Sequence, residues 1–330
     1  MTIKDVARIA GVSQSAVSRF LNGGSLSQEK RERIQETIDK TGYKPTVAAR
    51  MMRTGRQHQI GVLIPRVYSD SVAQIVTGIN EYIQDYGYGM VIGETRYEEE
   101  RELEYLALME ESGAAGIVVM GTELSTRRLA AYRGIRVPLV VTGQNITGIP
   151  CVFHNDFCAL EELTGRVLKK WHGRFAYIGV DDRDPQTGTA RREGMLSACR
   201  RAGYKKEDIL IEYSDFTAMG GYNAIQRILK TTKDIEGVVC ATDTIAFGAM
   251  RALYEAGRVP GSKVGIAGVG GSQMAAYSLV PLTTAHYYFK KCGMEAAEIL
   301  IKTIEAKMVG ELLPAKQVCL DYKIVERASI

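Results

Sequence analysis

Four side chains in the stretch GVSQSAVSRFLN, Gly11 to Asn22, make a polar side that contains no acid: Gln14, Ser15, Ser18 and Arg19. Arginine can donate two parallel hydrogen bonds to a guanine edge, and glutamine can pair with adenine. Serine hydroxyls and a helix N-terminus suit phosphate oxygens. The surrounding charge agrees. Residues 1–56 hold 11 Lys+Arg against 5 Asp+Glu, a net of +6, although the whole chain carries only +4, so the remainder carries −2. A small basic module that meets a polyanion, joined to a near-neutral body, has this distribution. A solvated face and a chance cluster of charge near a terminus have it too, and charge alone leaves both readings open.

Enzyme chemistry finds little support. The chain lacks G-x-x-x-x-G-K-[ST], G-x-S-x-G and H-E-x-x-H. The glycines of GIAGVGGSQ miss the dinucleotide pattern, because Gln273 stands where its third glycine belongs. The aspartates of GVDDRDPQTG could be read as paired carboxylates, but they fall in an expected loop, where solvated side chains are the expectation. The six cysteines (Cys151, Cys158, Cys199, Cys240, Cys292 and Cys319) form no C-x-x-C pair, and the four histidines show no metal spacing. No enzyme activity, disulfide, metal or cofactor is expected. Lys4, Asp5 and Arg8 interrupt any signal-peptide pattern, and no apolar run is long enough to span a membrane. The expected location is the cytoplasm. A sugar-binding transport protein is the alternative reading, and it would need an export signal in place of the basic headpiece.

Two regimes must position these residues. The first 55 residues read as short helices. Thr2 can cap the first, Ser13 the second and Ser27 the third. Ala16, Val17, Phe20 and Leu21 recur at helical spacing, and Thr46 can cap a fourth short helix through Arg53. Two helices with a Gly-containing turn and a third across them make a helix-turn-helix. From Gln59 onward, β-rich runs alternate with helical patterns. Strands are expected at 60–65, 89–94, 116–120, 137–141, 175–180, 209–213, 237–242 and 263–269, and helices at 71–86, 98–112, 158–171, 190–202, 218–231 and 244–257. Such alternation implies α/β architecture with parallel sheets flanked by helices. The number of units implies two sheets, with a ligand cleft at the carboxyl ends of their strands.

The motifs TIKDVARIAGVSQSAVSRFLNG, LSQEKRERI, GYKPTVAARMMRTGR and IGVLIP, with HND (154–156), AMGGY (218–222), CATDTIAFGAMRAL (240–253) and VPLTTAH (280–286), resemble the lactose-repressor family of bacterial transcription regulators. The likeness runs through the whole chain. It implies a sequence-specific regulator, a repressor of a sugar-utilisation operon, binding a palindromic operator as a homodimer under control of a small-molecule effector. It also implies a headpiece over 1–57 with a hinge helix at about 46–54. The body would be a two-lobed periplasmic-binding-protein-like unit, with 58–155 plus 286–311 as first lobe and 156–285 plus 312–330 as second.

Contact residues follow from the resemblance. DNA contact is implied for Thr2, Lys4, Ser13, Gln14, Ser15, Ser18, Arg19, Asn22, Ser27, Tyr43, Thr46, Ala49, Arg50 and Met52. Met52 stands where the hinge helix usually carries a leucine that wedges a base step, and Thr46 stands where asparagine is common. Effector contact is implied for Arg66, Asn155, Arg191, Phe216, Thr242, Asp243, Gln273 and Tyr287. Many sugar-binding members carry an aspartate where this chain has Gly270. Together with RVYSDS (66–71) and DPQTGTARRE (184–193), that departure resembles the trehalose-repressor branch, in which an arginine at the place of Arg66 holds a sugar phosphate. The implied effector is therefore a disaccharide or a sugar phosphate.

Overall fold

A computed structural model describes residues 3–21, 24–41 and 59–330. The chain divides into two compact units, Met1–His58 and Gln59–Ile330. Thr2, Asn22, Tyr43, Thr46, Ala49, Arg50, Met52 and the expected hinge helix lie outside the described residues.

The first unit contains α1 (Ile3–Ala10), α2 (Gln14–Leu21) and α3 (Gln28–Thr41). Helices of eight residues are unstable alone and persist here by packing. Val6, Ala7, Ala10, Val17 and Ile34 form their shared core. Gly11, at φ +63°, turns the chain between α1 and α2 in the left-handed region that favours glycine.

The second unit contains two six-stranded sheets. The first is built on β1 (Gln59–Ile64), β2 (Gly89–Glu94), β3 (Gly116–Met120), β4 (Leu139–Thr142), β5 (Cys151–His154) and β11 (Gln317–Leu320). Its order is β11-β5-β4-β3-β1-β2, and every pairing is parallel. Strand residues alternate between two cores. Val62, Val118, Val140 and Val152 face α4 (Asp70–Asp85) and α12 (Phe289–Met308), while Leu63, Ile117, Val119 and Val141 face α5 (Glu99–Glu111) and α6 (Thr126–Gly134). The second sheet has β6 (Arg174–Gly179), β7 (Ile209–Tyr213), β8 (Ile235–Cys240), β9 (Gly265–Gly270), β10 (Thr283–Tyr287) and β12 (Tyr322–Val325), in the order β12-β10-β9-β8-β6-β7. Only β12 is antiparallel to its neighbour. Around it lie α7 (Asp156–Lys170), α8 (Arg191–Arg201), α9 (Ala218–Thr231), α10 (Asp243–Glu255) and the short α11 (Gln273–Tyr277).

The chain passes between the lobes at Asn155, Tyr288 and Asp321, and the last two places correct the expected boundaries. His286 and Tyr287, expected in the first lobe, end β10 in the second sheet. The segment 312–330, expected wholly in the second lobe, is divided. Gln317–Leu320 pairs with Cys151–His154 as the edge of the first sheet, and Leu320 is buried in that lobe's core. Only Tyr322–Val325 joins the second sheet. The reason is local: two four-residue strands are separated by Asp321 alone, so one short segment completes both sheets.

Glycine sets the helix pairs. An added Cβ on Gly78 of α4 would lie 2.0 Å from the Lys290 carbonyl oxygen, and one on Gly293 of α12 2.1 Å from that of Ile75. The second lobe repeats the device, since a Cβ on Gly248 of α10 would meet the Ala218 carbonyl oxygen at 1.7 Å. The backbones touch where a side chain would hold them apart. Gly248→Ala gains up to about 1 kcal/mol of helix propensity but overpacks against backbone, at a cost of about 1–3 kcal/mol. Net destabilisation is expected in urea unfolding; a stabilised variant would show that these helices are free to separate.

Candidate functional site

In the headpiece, α2 divides as its spacing predicts. Ala16 and Val17 are buried, while Ser13, Gln14, Ser15 and Arg19 are exposed and Ser18 is half-buried. The Ser13 hydroxyl accepts from the Ala16 amide at 3.1 Å, as an N-cap, and lies 2.9 Å from the Ser15 hydroxyl. The Arg19 side chain reaches back along its helix, Nε donating to the Ser15 carbonyl at 3.4 Å, and has no carboxylate partner among the described residues. Arg8, Arg33 and Lys40, by contrast, are each paired with an acid. Lys4 and Ser27 are exposed. The α2 face thus presents one unneutralised guanidinium among hydroxyls and an amide, a surface suited to phosphates and base edges.

In the body, a cavity of about 180 Å³ opens between the sheets at the carboxyl ends of their strands. It is lined by Arg66 after β1, by Thr242 and Asp243 after β8, and by Tyr287 at the end of β10. Arg191 and Phe216 line it as well. Six of the eight residues expected to contact an effector therefore converge. Asn155 and Gln273 do not. The Asn155 side chain caps α7, accepting from the Cys158 amide at 3.2 Å, and the residues on either side of it, His154 and Asp156, line the cavity instead. Gly270 and Gly271, at φ +137° and +72°, carry the chain round so that Ser272 faces the cavity, and Gln273 is exposed elsewhere.

A buried ionic knot occupies the floor. Arg191 Nε donates to Asp156 Oδ1 at 2.6 Å, and its Nη1 donates to the Ala241 carbonyl. The Tyr287 hydroxyl donates to the same Asp156 oxygen at 2.8 Å, and the Arg191 guanidinium lies 5.3 Å from the centre of the Tyr287 ring. Burial works against charge on Arg191, yet Asp156 and its surroundings hold it firmly protonated. Asp243 is also engaged internally: it accepts from Thr284 Oγ1 at 2.6 Å and from the Ser272 amide at 2.8 Å. Burial raises its pKa against those bonds. Thr242 caps α10 through its hydroxyl.

Arg66 differs from Arg191. Its Nη2 donates to the Phe216 carbonyl at 2.9 Å and its guanidinium lies 5.5 Å from the Tyr68 ring centre. Its Nε is buried without a partner, and no carboxylate pairs with it among the described residues. Beside it, Ser69 and Ser71 line the cavity at the N-terminus of α4, where the Ser69 side chain makes no capping bond. Among the lining residues that sequence reasoning does not name are Asp156, Tyr97 and His154. Tyr97 stacks on Phe216 with centroids 5.4 Å apart and planes at 4°. His154 stacks on Tyr287 at 4.4 Å. The HND motif signals that place, but its middle residue is not the one that faces the cavity.

His154 carries a testable pH dependence. Burial pushes its pKa down to about 4, with Arg191 and His286 acting in the same direction and Asp156 against them. Unfolded, an imidazole titrates near about 6.5. Between these values the unfolded chain binds the extra proton, so the contribution is present at neutral pH and lost on acidification. Asp184 and Asp243 act oppositely: burial raises both, and their contribution is lost as pH rises through the folded values. From pH 7.5 to 5, His154 is expected to withdraw up to about 2 kcal/mol. His154→Gln should reduce the difference between urea unfolding at the two pH values by that amount, and an unchanged difference would refute the assignment.

Comparison with known proteins agrees with this architecture. The model for periplasmic binding proteins and sugar binding domain of the LacI family matches residues 57–315, and that for bacterial regulatory proteins of the lacI family matches residues 2–46. The chain is 28% identical over 311 residues to the sucrose operon repressor of Staphylococcus xylosus, covering 94% of this chain and 95% of that one. It is 27% identical over 309 residues to the transcriptional regulator TreR of Escherichia coli K12, covering 93% and 95%. Among solved structures, the lac repressor dimer bound to operator and an anti-inducer superposes with a TM-score of 0.85 at 20% identity, covering 100% of this chain and 98% of that one. The trehalose repressor from Escherichia coli gives 0.70 at 21%, covering 81% and 99%. No helix among the described residues is long and apolar enough to cross a membrane. With both of its units matched and a basic helix-turn-helix ahead of a two-lobed body, the chain belongs to the LacI family of DNA-binding transcription regulators, which are not enzymes.

Proposed function

We propose that this protein represses a sugar-utilisation operon, binding a palindromic operator as a homodimer and responding to a phosphorylated sugar held between its lobes. Arg66 carries the effector reading. Of the two arginines lining the cavity, Arg191 is neutralised by Asp156, whereas Arg66 has no acid partner among the described residues. A phosphate there would meet the Arg66 guanidinium, the hydroxyls of Ser69 and Ser71 and the N-terminus of α4. The stacked pair Tyr97 and Phe216 offers apolar ring surface to the sugar. An unphosphorylated disaccharide is the second reading, favoured by the carboxyl and hydroxyl groups that line the rest of the cavity. Its relatives carry names such as sucrose operon repressor, in keeping with a saccharide ligand.

The DNA reading rests on α2. Ser13, Gln14, Ser15, Ser18 and Arg19 would enter the major groove, with Lys4 and Ser27 on flanking phosphates. Half-exposed Val91 and Ile92 on edge strand β2, and fully exposed Leu279, supply apolar surface for pairing two copies.

Two substitutions test these assignments. Duplexes selected from a random pool by the wild-type protein supply the operator. At fixed salt, Arg19→Ala is expected to lower the ratio of operator to random-DNA affinity about 5- to 100-fold; an unchanged ratio removes Arg19 from base contact. For the effector, sucrose, trehalose, cellobiose and their 6-phosphates are screened by thermal shift. Arg66→Ala is expected to weaken a stabilising phosphate ester about tenfold or more while sparing its parent sugar. Equal loss for both, or no loss, would sink the phosphate reading.

A further inference from the structure

One stretch of the second lobe, residues 181–184, is held by two loops of the first. Glu123, beyond the carboxyl end of β3, lies with its Oε1 3.3 Å from Arg183 Nη2. Gln144, beyond the carboxyl end of β4, donates from Nε2 to Asp184 Oδ1 at 2.8 Å. The first contact is half-exposed and screened by solvent. The second is not: Gln144 and Asp184 are 1% and 6% exposed, so Asp184, expected from the sequence as a solvated loop carboxylate, is buried because it caps the turn that follows it.

The oxygen that takes the bond from Gln144 has other duties. Asp184 Oδ1 also accepts from the backbone amides of Gln186 at 3.1 Å and Thr187 at 2.9 Å. It thereby caps a single π-helical turn, Pro185–Ala190, which runs directly into Arg191, the first residue of α8. Turns of this kind are rare and need local support. Support comes also from Gly188, where an added Cβ would lie 2.2 Å from the Asp181 carbonyl oxygen. One carboxylate oxygen therefore touches the first lobe and shapes the turn that delivers Arg191 to Asp156 and Tyr287.

We propose that Asp184 is a positioning residue that couples closure of the lobes, sensed through the amide of Gln144, to the placement of Arg191 in the cleft. With the lobes apart, Asp184 loses a donor and the cap on the turn weakens, so the backbone that presents Arg191 is held less firmly, although the bonds of its guanidinium to Asp156 and Ala241 lie within the second lobe. The coupling rests on reading the cleft as the effector site, but the contact is made entirely within this chain and can be tested without any effector.

The test is amide hydrogen exchange and small-angle scattering on the full chain with no ligand added. Gln144→Glu sets two carboxylates face to face. It is expected to speed exchange across 186–191 about tenfold or more and to increase the radius of gyration, while the amides of β6 and the later turns of α8 keep their protection. Gln144→Glu combined with Asp184→Asn exchanges donor and acceptor, because the asparagine side chain still caps the turn through its oxygen while its NH2 group meets the new carboxylate. That double variant is expected to restore both readouts, which a side chain that merely supports the fold would not do. Should Gln144→Glu fail to fold, Gln144→Ala removes the donor without adding charge, and faster exchange confined to 184–191 is expected. Wild-type exchange in the single variants, or no rescue in the double variant, overturns the coupling. Failure here leaves the phosphate reading of Arg66 standing, since no effector enters the measurement.

Discussion

The arrangement depends on one carboxylate. Asp156 is the first residue of α7, immediately beyond the point where the chain leaves the first sheet, and it takes bonds from Arg191 and from the Tyr287 hydroxyl. Arg191 begins α8, and Tyr287 ends β10 just before the chain returns to the first lobe. A buried oxygen thus ties together two of the passages between lobes and the start of a third element. The pair is nearly dry, with side chains 9% and 5% exposed, so deleting either partner would strand a charge at a cost of about 3–5 kcal/mol. The surrounding rings of His154 and Phe289 keep it dry, and that burial is what holds His154 neutral.

That commitment decides the electrostatics of the cleft. A cavity lined by two arginines and several aspartates looks ambivalent until each charge is traced to its partner. Arg191 is spent on Asp156, Asp243 on Thr284 and the Ser272 amide, Asp184 on Gln144 and its own turn, and the exposed Asp70, in the first turn of α4, accepts from Gln74 Nε2 at 2.8 Å. Arg66 is the cation left over among the described lining residues. Composition counts charges, whereas recognition depends on the ones without a partner.

The same distinction explains what is legible in the sequence. Runs with strong local periodicity read to the residue: strands 89–94, 116–120 and 209–213 and helix 218–231. The strands that cross or edge the lobes, 151–154, 283–287, 317–320 and 322–325, are short and mix polar with apolar residues (CVFH, TTAHY, QVCL and YKIV), so none shows the unbroken apolar run that marks 116–120. Helix Phe289–Met308 escapes detection despite its length. Its buried positions are largely alanine, glycine and cysteine toward the N-terminal half, chosen for close approach to α4, so it lacks a bulky apolar stripe there. In the site, a motif match favours Asn155 over His154 and Asp156. Which of three adjacent residues faces a cavity is set by where the strand stops and the helix cap begins, and those differ by one residue. Tyr97 cannot be found locally at all, since its partner Phe216 lies on the other lobe.

Gly270 shows how backbone geometry constrains charge. The resemblance sets an acid at this place in many sugar-binding relatives, and in sequence alone its absence reads as simple loss of a ligand for hydroxyls. In the structure Gly270 sits at φ +137°, outside the range that other residues adopt readily. A Cβ added to it would lie 3.5 Å from Asp243 Oδ2, an oxygen already in a buried carboxyl group. A second carboxylate there would strain the backbone and face Asp243 at close range, where like charges raise one another's pKa. Glycine at this position therefore does more than omit an acid. It lets the loop pass close enough for the Ser272 and Gly271 amides to stabilise Asp243.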